Sequence, residues 1–435
     1  MTARWAIAAA SAASVALIMV GTFHYGFHTD DYFMLRPHSA AELVRVWRGT
    51  WDTGGVWVPY FRPLSQWANE ATFALAGYSA PLVSAVVAIE LAVLAWLVGL
   101  FVLRELQSPV AGGFAAALVV FQPSAANSLV WYFQQNHRWS AAAAMVALLV
   151  WQQRRVRPSA IGWWPIHVAV LVGALFKEDV IIVEPLLLLW QWLRARWIGD
   201  VPRPSLAMCI AIAGGCAGFT AAHALLLSGV GGEISDQTAI SRLPYHLIRD
   251  LYVGLIRFRD VHGGHTSPAQ WAASATIIVG SVAGVWTMWA RRSPRRMMAV
   301  QGARFAWAAA GVTALASPWY TRHHLIAIGG VFVLSACVLE LRDGATRSAR
   351  AVAGVLSAAV LLSCWLSTRA TMDDYRPCGR STLGEDASQI EWLTSLRSQE
   401  YAWVPQWLEL KARLCDAGQY YELDEAIRRG DICTQ

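Results

Sequence analysis

PLVSAVVAIELAVLAWLVGLFVLR, residues 81–104, decides the fold class. One charge, Glu90, interrupts the run before Arg104 closes it. A bilayer core takes about 20 predominantly apolar residues of helix to cross. There the backbone N–H and C=O groups must be satisfied within the segment itself. The rest of the chain has the same character. Of its 435 residues, 56% are hydrophobic and only 15% charged, against about a quarter charged in a soluble domain. The chain therefore reads as an all-α integral membrane protein.

Working outward by hydropathy gives about eleven spanning helices. They fall near 5–22, 81–104, 110–130, 138–153, 160–176, 179–195, 205–229, 270–290, 303–318, 323–341 and 350–368. The first, within MTARWAIAAASAASVALIMVG, also resembles a signal peptide with a small-residue cleavage site. Its long apolar run favours an uncleaved anchor, and either reading leaves residues 27–37 outside. Arg104, Arg154, Arg155, Arg157, Arg194, Arg196, the Arg291–Arg296 cluster, Arg342, Arg347 and Arg350 collect on one side. The positive-inside preference makes that side the cytoplasm. The opposite face then carries a first long loop (23–80), the QNHR turn (134–138), the Lys177-Glu178-Asp179 turn, a second long loop (230–269), the His323-His324 turn and the tail. Residues 1–369 form the membrane domain and 370–435 a small external helical tail. One face thus holds nearly all the unusual polar chemistry.

Two stretches of the external loops are amphipathic, SAAELVRVWR (39–48) and YHLIRDLYVGLIRF (245–258). Their spacing suits short helices lying in the interface plane, or covering the top of the bundle. The net charge of +6 is scattered over short connections, which excludes the basic stripe of a nucleic-acid binder. Cys209, Cys216, Cys337 and Cys364 sit in apolar segments and read as small core hydrophobes. Cys378, Cys415 and Cys433 lie in the polar tail, where an oxidising compartment permits a bridge. Cys415 and Cys433 would stand at opposite ends of a tail hairpin, so a bridge there is expected to use Cys378.

Four external strings carry residues suited to chemistry. FHTDDYFMLRP (27–37) places Asp30 and Asp31 side by side. Adjacent carboxylates at a partly desolvated site resist ionising together, and one so placed can take a proton from an attacking hydroxyl. YFRPLSQW (60–67) holds Arg62 before Pro63, which biases the arginine toward an extended backbone. An arginine fixed at the lip of a bundle can grip a phosphate with paired N–H donors. ALFKEDVIIVEP (174–185) packs Lys177, Glu178 and Asp179 between two apolar runs, where charges are costly unless paired or facing a cavity. Apart from Lys411, Lys177 is the only lysine in an arginine-rich chain. SPWYTRHHLIAIGG (317–330) brings Arg322, His323 and His324 to an external helix mouth, with His137 and Arg138 a weaker cluster of the same kind. Cations at a helix start oppose the macrodipole, so an anionic partner suits them. His262 and His265 have metal-compatible spacing but no third ligand nearby, so no metal is read and a divalent ion is unsupported.

In this order, DDYF, FRPL, LFKED and YTRHHL, the chain resembles the GT-C class of membrane glycosyltransferases. It is most similar to the protein O-mannosyltransferase branch with its transmembrane and tetratricopeptide-repeat relatives. The resemblance covers roughly residues 1–370 and rests on those four strings. It implies Asp30 as catalytic base with Asp31 its acidic neighbour. Arg62, Lys177 and Arg322 would contact a donor phosphate, and Glu178 would support them. Further implications are a polyprenyl-phosphate sugar as co-substrate, inversion at the anomeric carbon, and a protein, glycan or lipid acceptor. Where that family carries Tyr after the late arginine, this chain has His323 and His324. Trp407, Leu410, Leu414, Gly418 and Tyr420 follow the spacing of one tetratricopeptide-like hairpin, although a lone repeat does not bury its own face.

Two rivals stand beside this reading. A ligase or polymerase acting on polyprenyl-pyrophosphate glycans also needs external cations. A transporter or flippase would hold its charges near the bilayer midplane on broken helices. The expected setting is a bacterial-type inner membrane with the active site on the periplasmic or extracellular side.

Overall fold

The structure is a computed structural model. It describes residues 3–20, 38–48, 61–77, 79–122, 132–155, 160–226, 251, 268–316, 324–343, 347–374, 387, 390–391 and 403–416. Among these residues all regular structure is helical. The long helices fall where hydropathy places them: α1 (Ala3–Met19), α4 (Ala80–Leu106), α5 (Pro109–Phe121), α6 (Gln135–Arg154), α7 (Ala160–Phe176), α8 (Val183–Trp197), α9 (Leu206–Leu226), α10 (Pro268–Ala290), α11 (Arg296–Ala316), α12 (His324–Asp343) and α13 (Arg347–Asp374). Two shorter helices, α2 (Ala40–Arg45) and α3 (Pro63–Ala76), belong to the first long loop, and α14 (Trp403–Asp416) to the tail. Pro81–Leu106, Leu325–Asp343 and Ala353–Ala370 are long and apolar enough to cross a bilayer, and shorter apolar helices accompany them.

Several details depart from the expected boundaries: α5 ends at Phe121 rather than near 130, α6 starts at Gln135 within the expected QNHR turn, and α11 starts at Arg296 rather than near 303. The sixth span does not begin as an α-helix at 179. It opens with a 3-10 turn, Glu178–Ile182, before α8. Pro185 explains the change. Its ring would clash with the carbonyl of residue 181 in a continuous helix, whereas the first turn of α8 tolerates it. The first loop contains a full helix, α3, where the reading placed only a constrained arginine. Pro63 stands at its first position, where a missing N–H costs nothing and the fixed φ favours helix. The last span continues through Asp374, beyond the expected domain boundary at 369. The stretch 39–48 does form a short helix, closed at its start by a reciprocal capping box between Ser39 and Glu42. Of 245–258 only Leu251 is described.

Helix α12 runs through the middle of the bundle, packed against α4, α5, α6, α10, α11 and α13. Phe101, Trp190 and Phe332 tie α4, α8 and α12, with ring centroids 4.9 Å apart for Phe101–Phe332 and 5.6 Å for Phe101–Trp190. Within lipid the hydrophobic effect does not drive helices together, so close backbone approach and buried polar bonds do much of that work. Gly302 and Gly329 supply such an approach between α11 and α12. A methyl on Gly329 would come within 2.6 Å of the Gly302 carbonyl oxygen and 2.7 Å of the Ala306 nitrogen.

The connections sort onto two ends. At one end Glu105 pairs with Arg155 at 2.6 Å and also with Arg194, which holds Asp200. Glu340 accepts from Ser293 at 2.6 Å and pairs with Arg295 there too. At the other end lie the starts of α3, α4 and α6 and the end of α7. Arg369, near the end of α13, donates to the carbonyls of Ile18 and Val20 at the end of α1.

The glycine contact generates a test. Gly329→Ala should cost ~1–3 kcal/mol by overpacking and lower the thermal unfolding midpoint of the detergent-solubilised protein. Gly354→Ala on α13, where an added methyl meets nothing within 4 Å, should leave that midpoint in place.

Candidate active site

The site grows from one helix start and one turn. Arg62 caps α3 with φ −135° and ψ 59°, a non-helical backbone that the following proline favours. Its guanidinium forks onto Glu178, Nε donating to Oε2 at 2.9 Å and Nη2 to Oε1 at 2.6 Å. The arginine side chain is 6% exposed and the glutamate 23%. Ser65, one turn further along α3, donates to the Phe176 carbonyl at 2.9 Å. The first loop is thereby fastened to the end of α7.

Lys177 extends the cluster. Its Nζ lies 3.2 Å from Asp179 Oδ2 and 3.0 Å from His137 Nδ1 on α6. Ser140 Oγ, one turn beyond His137, donates to Asp179 Oδ1 at 3.2 Å. Gly173 makes the tight turn possible, because a methyl there would fall 2.8 Å from Ala143 Cβ and 3.0 Å from Val180 Cγ1. The structure therefore gathers Arg62, His137, Ser140, Lys177, Glu178 and Asp179 from three separate segments. Arg138 points elsewhere: Glu90 accepts from its Nε at 2.7 Å, with Trp139 Nε1 donating to the same carboxylate at 2.8 Å. Asp30, Asp31, Arg322 and His323 lie outside the described residues, and of His324 only its place as the first residue of α12 is described.

Electrostatics follow from burial and pairing. Burial pushes the Lys177 amine below its usual value, reinforced by Arg62, while Asp179 and Glu178 oppose the shift. Burial alone would raise Glu178, but the charge and hydrogen bonds of Arg62, with Lys177 behind them, hold its carboxyl down at about 2. Glu178 is thus ionised throughout the ordinary pH range. Lys177 sits where an incoming anion would strengthen its hold on its proton. Paired cations at a rim, kept in place by fixed carboxylates, suit recognition of a phosphate.

Sequence reading found Arg62, Lys177 and Glu178 and missed Ser140 and the polar face of α3. That face was legible in principle. Arg62, Gln66 and Asn69 follow the i, i+4, i+7 spacing of one helical side, once Pro63 is taken as a helix start.

No protein-family model matches the sequence, and no match is found among curated proteins. Among solved structures the chain is similar to the oligosaccharyltransferase of Archaeoglobus fulgidus, which was crystallised tethered to an acceptor peptide containing the NVT sequon via a disulfide bond. The TM-score is 0.51 at 13% identity, over 85% of this chain and 55% of that one. This chain therefore spans about half the length of that protein. The all-α fold is GT-C-like, and the likeness does not single out the O-mannosyltransferase branch.

The Arg62–Glu178 pair can be measured. Arg62→Leu or Glu178→Gln alone should destabilise the solubilised protein by about 3 kcal/mol, since each strands a largely buried partner. The double variant should lose clearly less than the sum, as read by thermal unfolding. Acid provides a second readout. The folded-state pKa of Glu178, about 2, lies below its ordinary 4.5, so its stabilisation is fully present above that ordinary value. It is lost as pH falls from about 4.5 toward 2. Glu178→Gln should lack this component of acid sensitivity.

Proposed function

We propose that this protein is a membrane glycosyltransferase that moves a sugar from a polyprenyl-phosphate donor to an acceptor hydroxyl. The reaction takes place on the extracytoplasmic face of a bacterial-type inner membrane. The observation that carries this reading is the union of Arg62, Lys177 and Glu178, from distant segments, at one end of a GT-C bundle. The disulfide at Cys415 suits a tail in an oxidising compartment, on the same side as the site.

In the proposed mechanism Asp30 accepts the proton of the acceptor hydroxyl, with Asp31 as its acidic neighbour. The acceptor oxygen then attacks the anomeric carbon from the face opposite the phosphate. A carbon–oxygen bond forms as the bond to the phosphate oxygen breaks, and the configuration inverts. The electron pair of the broken bond leaves with the polyprenyl phosphate. Arg62, Lys177 and Arg322 stabilise that growing charge, an effect worth most in a water-poor site.

The likeness to an oligosaccharyltransferase favours one second reading, a donor bearing a glycan on a polyprenyl pyrophosphate. Labelled monophosphate and pyrophosphate donors given to the purified protein separate the two. Transfer from the monophosphate donor is expected. Asp30→Asn should abolish it with donor binding largely intact, whereas Lys177→Ala should mainly weaken donor use. Full transfer by the Asp30→Asn protein would remove the aspartate from the mechanism.

A further inference from the structure

A carboxylate and an imidazole meet between α7 and α8, apart from the candidate active site. Glu184, 1% exposed, lies 2.7 Å from His167 Nδ1 and has no other partner among the described residues. His167 stands ten residues before Lys177, roughly 15 Å along an α-helix. Its ring is 33% exposed. Gly215 of α9 makes room for it, because a methyl there would fall 2.9 Å from Nε2. That second ring nitrogen makes no hydrogen bond among the described residues.

Charge balance decides what Nε2 offers. Imidazolium with carboxylate, and imidazole with protonated carboxyl, both carry no net charge. In each of them Nε2 bears a hydrogen. Only a neutral ring donating from Nδ1 to a carboxylate leaves Nε2 bare. That state leaves an uncompensated negative charge among apolar helices, where it is costly. Nε2 is therefore a donor, and what it lacks is an acceptor.

The surroundings narrow the ligand further. Trp163, Trp164, His167, Met208, Ala211 and Ile212 line a cleft of about 120 Å³ between α7 and α9. A cavity of about 150 Å³ takes one benzene ring, so the cleft is on the scale of a single six-membered ring. Its walls are aromatic and polarisable, surfaces that favour a flat partner. Trp163 also leaves its Nε1–H without an acceptor. Trp164 and, beside the lining residues of α9, Ile210 are each 63% exposed. On apolar helices such exposure faces lipid, so a ligand enters from the bilayer.

We infer that this cleft binds a membrane-dissolved ring carbonyl of the quinone type. Its carbonyl oxygen accepts from His167 Nε2, and its ring lies against Trp164. A lipid alcohol fits less well, because its own hydrogen would find no acceptor on these walls. A fatty carboxylate would add a charge to a pair that is neutral without it. The inference concerns binding alone and is independent of the chemistry proposed for Arg62 and Lys177.

Equilibrium dialysis of the solubilised full chain against radiolabelled decylubiquinone, decanol and decanoate tests it. The wild type should retain decylubiquinone most tightly. His167→Phe should weaken that binding about tenfold, the scale of one hydrogen bond. Trp164→Ala removes a largely exposed ring, so it leaves the fold intact and should weaken the quinone more than decanol. It decides the matter even if His167→Phe does not fold. Equal retention of the three probes, or quinone retention unchanged in both variants, would mean partition into the detergent shell alone. A preference for decanol would make this a hydroxyl site, and a preference for decanoate an anion site. Any of these results overturns the assignment.

Discussion

One ion pair joins what the chain keeps apart. Arg62 belongs to the first long loop and Glu178 to a turn far along the sequence, yet their side chains meet in a two-pronged bond. Bringing such distant segments together costs chain entropy, though that cost grows only slowly with loop length. Here several bonds share it. Ser65 reaches the Phe176 carbonyl, and Asn69 meets Gln135. The helix that carries these groups cannot shift without breaking several of them at once. Position at the site is therefore set by the loop helix and the α7–α8 turn together, and by neither alone.

The bundle behind the site is polarised in its use of charge. At the arginine-rich end, Glu105 and Glu340 each gather basic partners from neighbouring helices. These bonds knit α4, α6 and α8 in one case and α11 and α12 in the other. They fit a structural role, because each acid there is answered by a cation. The charges at the other end are paired too, Arg62 with Glu178 and Lys177 with Asp179, but there they meet from separate segments beside His137 and Ser140. A transporter would instead be expected to place its ionisable groups around the midplane. His167 and Glu184, bonded at 2.7 Å, form a pair between α7 and α8 close to the start of α8. Gly215 of α9 lies against the His167 ring, so the imidazole serves as a polar joint among α7, α8 and α9.

Much of this fold was legible in the sequence because lipid imposes a simple rule. A segment that crosses must be apolar and helical, so hydropathy located each long helix, with ends that differ by up to nine residues, as where α5 stops at Phe121 instead of near 130. Boundaries slipped where local backbone chemistry overrode that rule, as at Pro185, which turns the expected helix start into a 3-10 turn. The site was legible only in part. Lys177, Glu178 and Arg62 stood out as charges in positions that demanded partners. Which partner each would take was not legible, since Arg62 with Glu178 and Lys177 with Asp179 is one of several pairings the types allow. The polar side of α3 was missed because buried polar faces run against the usual expectation for helices. Arg138 was grouped with His137 by adjacency, but neighbouring residues on a helix point in different directions, and it is Glu90 that receives it.

The balance of charge at the site bears on how a phosphate would be held. Among the described residues Arg62 and Lys177 are each matched by a carboxylate, so that part of the cluster is close to neutral before any anion arrives. From these two pairs binding draws on no surplus of positive charge, and geometry must carry more of it. Glu178, fully ionised and fixed by two hydrogen bonds, holds the Arg62 fork in a set orientation, which lowers the entropy lost when a ligand meets it. Lys177 is the responsive member. Burial lowers its affinity for a proton, and an anion nearby would restore it, so protonation and phosphate binding reinforce each other. On the proposed reading the leaving phosphate gains charge during the reaction, and Lys177 would strengthen its grip as that charge grows. Such an interaction, stronger in the transition state than before it, is the kind that raises a rate rather than merely tightening binding.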